Sequence, residues 1–95
     1  MKGPFGWTVR VEGIPSGSVD VDKWMDLIES HSGVLTVRET PDPVGHWVAA
    51  YTVSLPVHRA GRAIDLAIGL IKPADPRFEV CSLEAMTFEE QDRRD

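Results

Sequence analysis

A single cysteine, Cys81, leaves this chain without an internal disulfide, and a domain that folds without one suits a reducing compartment. Basic residues are not in excess. Ten lysines and arginines stand against fifteen acids, for a net charge of −5. Affinity for phosphate backbones comes largely from basic side chains, so this balance argues against nucleic acid and against anionic membrane surfaces. Long apolar runs are also missing. No stretch approaches the roughly 18 residues of a membrane span, and residues 1–6 contain no apolar core of signal-peptide length. The expectation is a cytoplasmic chain with no membrane partner.

What is present is an ordinary globular composition, 42% hydrophobic and 26% charged, which excludes global disorder. A chain of 95 residues makes one domain with a core that needs neither metal nor disulfide. Trp7, Val9 and Val11 alternate with Thr8, Arg10 and Glu12, the period of a half-buried strand. Residues 13–17 are expected to break that strand. Ser18 or Asp20 can cap a helix whose Val21, Trp24, Met25 and Ile28 fall on one face, and Gly33 is placed to end it in the left-handed conformation. Val34 to Glu39 reads as a second strand and residues 41–45 as a hairpin loop. Trp47 to Leu55 then forms the longest strand. A second helix is predicted over Val57 to Ile71, apolar at Ala60, Ile64, Ala67, Ile68 and Ile71. Its small residues Gly61, Ala63, Ala67 and Gly69 would permit close packing. The last strand, Phe78 to Leu83, is irregular: Phe78 and Val80 share one phase, Cys81 and Leu83 the other. A bulge or an edge position is therefore expected.

This order of elements, βαββαβ, predicts an α+β two-layer sandwich of the ferredoxin-like kind. It implies a four-stranded antiparallel sheet in the order 4-1-3-2 with two helices on one face. The domain is expected to occupy residues 1–86, and residues 87–95 to form a short helical or frayed tail. Thr87-Phe88-Glu89-Glu90 is a capping box that announces a helix, yet only five residues follow it. The tail reads either as a single turn packing Phe88 on the sheet edge or as a segment that docks a partner.

Chemistry-bearing residues are sparse. His31, His46 and His58 show no ligand spacing, so neither a metal nor another cofactor is expected. Cys81 has no basic neighbour and, in a strand, is expected to be a buried, inert thiol. Gly13, Ser16, Gly17 and Ser18 precede a helix, as in anion-binding loops. The lysine and glycine spacing of a phosphate loop are missing, and Asp20 and Asp22 would repel phosphate. A structural turn and a small-ligand loop both remain open there. Base stacking on the sheet would need aromatics on its uncovered face, but the residues in that phase include none. Acylphosphatase-like hydrolysis would need an asparagine, and the chain contains no asparagine. The uncovered face should present Val34, Thr36, Val48, Ala50 and Thr52, with Cys81 and Leu83 as further candidates. With Phe88 these form a candidate interface for a protein partner or a second copy, a simply solvated face being the other reading.

The runs Trp7-Thr8-Val9-Arg10-Val11-Glu12-Gly13 and Ala49-Ala50-Tyr51-Thr52-Val53, with the ending Phe78-Glu79-Val80 through Leu83-Glu84-Ala85-Met86-Thr87-Phe88-Glu89-Glu90, carry a resemblance. The chain resembles small ferredoxin-like domains of actinobacterial proteins and their phages. In many of these a Thr-x-Glu-Glu helix follows the last strand and leads into a helix-turn-helix segment. No such segment follows here, so DNA reading is not carried over. The resemblance implies an accessory, dimerising or sensing module without catalytic residues. The expected function is thus a non-enzymatic protein-interaction or homodimerisation module. The alternative is a regulatory domain binding a small ligand at the Gly13–Ser18 loop.

Overall fold

A computed structural model describes residues 6–39 and 47–88. Four strands and two helices follow one another in the order β1 (Trp7–Ile14), α1 (Val21–Ile28), β2 (Val34–Glu39), β3 (Trp47–Leu55), α2 (Ala60–Gly69) and β4 (Glu79–Thr87). The strands form one antiparallel sheet in the order β2-β3-β1-β4, which is 4-1-3-2 read from the other edge. The predicted hairpin loop and residues 89–95 of the tail lie outside the described residues.

Register explains which side chains meet. Val9 lies opposite Val53 and Ala85, Val11 opposite Tyr51 and Leu83, and Leu35 opposite Tyr51. These residues share one face of the pleat. Both helices cover it: the Tyr51 ring stands edge-on to Trp24 of α1 at 6.2 Å, and its hydroxyl donates to the Ala67 carbonyl of α2 at 2.6 Å. The core is built from Val9, Val11, Ala49, Tyr51, Val53 and Leu55 below and Trp24, Ile28, Ala63, Ala67 and Ile71 above. Phe78 closes one end, with its ring edge-on to Trp24 at 5.3 Å.

The local signals account for the helix ends only in part. Asp20 caps α1 by accepting the Lys23 N–H at 3.1 Å. Val21 is 49% exposed instead of joining the apolar face, and Val19 packs against the core in its place. A 3-10 turn, Glu29–His31, extends α1, and the left-handed residue is Ser32 (φ 56°), not Gly33. Gly33 is there for space: a Cβ would sit 2.5 Å from the carbonyl oxygen and side chain of Ile28. Helix α2 begins at Ala60 instead of Val57: the Val57 N–H closes a turn around Pro56 onto the Leu55 carbonyl at 2.9 Å, and the chain is still extended at Arg59 (φ −97°, ψ 131°). Its fully buried positions are Ala63 and Ala67, continued by Ile71, while Ala60, Ile64 and Ile68 are half-buried. The alanines make the close approach to the sheet; Gly61 and Gly69 border open space.

The two outer strands complete the picture. β1 runs through Gly13 and Ile14, which the sequence pattern assigns to a loop. The β4 register shifts between Glu12 and Gly13, since Ser82 faces the first and Val80 the second. Cys81 is the extra residue of that bulge, on an edge strand. The bulge puts Leu83 back in phase with the helix-covered face, opposite Val11, so Leu83 leaves the uncovered face where it was expected.

Candidate functional site

The loop between β1 and α1 is held from a distance. The Ser16 N–H donates to Asp75 Oδ2 at 2.8 Å and the Ser16 hydroxyl to Oδ1 at 2.6 Å, while the Arg77 N–H donates to Oδ1 at 3.1 Å. Asp75 is 7% exposed. Its burial pushes the pKa up, but the Ser16 bonds, the Arg77 N–H and the Arg77 charge outweigh this and hold it below the ordinary value. One carboxylate thus ties the first loop to the turn before β4. The Ser16 donors that an anionic ligand would use are already filled.

The other loop candidates are placed differently. Gly13 is a buried strand residue whose missing Cβ admits the Glu79 backbone and the Phe78 ring, so it is a packing position. Gly17 and Ser18 are exposed, with no atom within 4 Å of a Cβ built at Gly17. A recess of about 30 Å³ beside Asp75, lined by Ile68, Ile71, Lys72, Pro76 and Phe78, has room for roughly one or two waters. Nothing in the local sequence signals the Asp75 anchor, because Asp75 and Ser16 are 59 residues apart.

The uncovered face of the sheet collects the second set of candidates. Val34, Thr36, Val48, Ala50 and Thr52 share it with Thr8, Arg10, Glu12, Arg38 and Ser54, as the pairings Val34↔Thr52, Thr36↔Ala50, Arg38↔Val48 and Arg10↔Thr52 require. Val34 is 63% exposed. Glu12 accepts from Arg10 at 2.8 Å and lies 3.7 Å from the Arg38 guanidinium. Arg38 is on β2 and Glu12 on β1, so their pair spans β3 over Ala50. Ala50, set between Glu12 and Thr36 in the register, is only 8% exposed. Ion pairs this exposed contribute about 0–1 kcal/mol each and weaken with salt. Their effect here is to set the charge pattern of the face: small uncharged residues along β3, bordered by both signs.

Phe88 lies at the end of the sheet. Its N–H donates to the Gly6 carbonyl at 3.1 Å, and its ring occupies the space of a Gly6 side chain, 2.6 Å from a Cβ built there. Gly6 also has φ 147°, a conformation that favours glycine. Cys81 is exposed, not buried, with its thiol 3.7 Å from the Glu79 carbonyl oxygen. His31 ends the 3-10 turn and His58 precedes α2, while His46 lies outside the described residues. Among the described residues no three histidine, cysteine, aspartate or glutamate side chains gather into a metal-holding group. No helix among them is long and apolar enough to cross a membrane.

No protein-family model matches the chain, and no curated protein does. Among solved structures it is similar to the solution structure of the SecDF periplasmic domain P4, at a TM-score of 0.43 and 16% identity, over 90% of this chain and 91% of that one.

Proposed function

We propose that this chain is a non-enzymatic protein-interaction module with a ferredoxin-like layout, and that the uncovered sheet face is its contact surface. The observation that carries the reading is the asymmetry of the sheet. Both helices bury one face, while Val34, Thr36, Val48, Ala50 and Thr52 lie together on the other, with no element over them among the described residues. Short uncharged side chains along β3 let a partner approach the backbone closely, and Arg10, Glu12 and Arg38 supply both signs at the border. Such a surface suits another protein better than a polyanion, because each arginine already shares Glu12.

The reading is tested by affinity capture from the native host with three baits. Wild type and Asp65→Lys, altered on the exposed side of α2, are expected to retain the same protein. Thr52→Arg is expected to lose it while keeping its circular dichroism. Equal recovery by all three baits, or none by any, contradicts the reading.

A further inference from the structure

The sheet ends on two edges, and they differ. β4 is interrupted by the bulge at Cys81 and carries the exposed acids Glu79 and Glu84. Bulges and charges are the usual means by which an edge strand is kept from pairing with another chain. β2 has neither over most of its length. Its six residues, VLTVRE, hold an unbroken register with β3 from Val34↔Thr52 to Glu39↔Trp47. It contains no proline or glycine, and its charges come only at positions 38 and 39. Among the described residues no strand pairs with its outer side, where backbone N–H and C=O groups are left without a ladder.

We infer that β2 is a self-pairing edge: two copies join β2 to β2 antiparallel about a twofold axis at Thr36, making one continuous eight-stranded sheet. A twofold axis pairs positions whose numbers have a constant sum, and residues opposite each other share a face of the pleat. With the axis at Thr36, Leu35 meets Val37 of the second copy on the helix-covered face, and Val34 meets Arg38 on the uncovered face. Each of these pairs occurs twice, and Thr36 meets its own counterpart.

The composition of β2 fits this register. Leu35 and Val37 are only partly buried in the single chain, so their pairing extends the core across the axis. Val34, 63% exposed, loses part of that exposure to the second strand. No acid opposes an acid, which matters for a chain of net charge −5. Placing the axis at Val37 would set Leu35 against Glu39. Placing it at Leu35 would leave only residues 34–36 paired, against 34–38 here. The match of the strand to itself is what selects a second copy as the occupant. This inference stands without the docking-face reading; where both hold, two uncovered faces merge into one.

The test uses sedimentation of the full chain. Thr36→Lys and Thr36→Glu each set like charges opposite one another at the axis, on an exposed position that leaves the core untouched. Each variant alone is expected to sediment as a monomer at concentrations where wild type is a dimer, with unchanged circular dichroism. Mixed in equal amounts, the two should form a heterodimer. Thr52→Arg, one strand further in on the same face, should remain a dimer even where it loses a captured protein. A monomeric wild type, Thr36 variants that stay dimeric alone, or a mixture that stays monomeric each overturns the inference. Dissociation by Thr52→Arg alone would do so as well, in favour of face-to-face packing.

Discussion

Asp75 and Tyr51 are two residues whose polar atoms tie distant parts of the chain together. Asp75 receives three hydrogen bonds, two of them from Ser16. Asp75→Ala leaves those donors unpaired and is expected to cost about 1–3 kcal/mol in urea denaturation at pH 7. Because its native pKa lies below the ordinary 3.8, the ionised carboxylate stabilises the fold fully above that value. That contribution is lost as the pH falls below 3.8 toward the native pKa. The difference between wild type and Asp75→Ala should therefore shrink below that pH. An unchanged difference at pH 2.5 would show that the charge does not matter.

Tyr51 titrates in the opposite sense. Burial raises its pKa well above the ordinary 10.0, so its stabilisation is complete below pH 10 and is lost as the pH rises beyond it. It is the only tyrosine in the chain, so tyrosinate absorbance reports it alone. The expected result is that this absorbance rises only together with unfolding, and that Tyr51→Phe flattens the alkaline loss of stability. A tyrosinate signal appearing in the folded protein near pH 10 would contradict the account. The alternation of β3 places Tyr51 on the covered face from sequence alone. Its bond to Ala67 needs the position of α2 over the sheet, which no local pattern supplies.

At the scale of elements, legibility is uneven among the strands: β4 spans Glu79–Thr87, four residues past the Leu83 end that the pattern predicts, and takes in Thr87 of the expected tail. β2 and β3 match their predicted limits, since alternation, Gly33 and Pro56 bound them without help from the rest of the chain. The phase change at Cys81 likewise marked the β4 bulge. Helix α2 was harder to read because leucines and isoleucines surround it. The sheet selects the narrow alanine side, Ala63 and Ala67, where backbone can approach backbone. Gly61 and Gly69 have no such task, with no atom within 4 Å of either added Cβ. Gly61→Ala and Gly69→Ala should each stabilise the fold by about 0.5–1 kcal/mol, read as a higher urea midpoint at constant slope. Destabilisation by either would mean that the glycine meets something the helix does not reveal.

For the whole molecule, strand phase and topology together define the surfaces. The pattern of residues already grouped Val34, Thr36, Val48, Ala50 and Thr52 on one face, and the register bears out that grouping. It did not reveal the pair from Arg38 to Glu12 across Ala50, because their approach depends on β3 lying between β2 and β1. Nor did it give Ser16 its partner, which leaves the first loop a fastened turn. What the assembled sheet adds is a contrast of edges, one interrupted by a bulge and acids and one regular and self-matching. Sedimentation equilibrium of the wild-type chain tests this most directly. The account predicts an average mass that rises with concentration from 10.5 kDa toward twice that value. A mass that stays at 10.5 kDa throughout would contradict it.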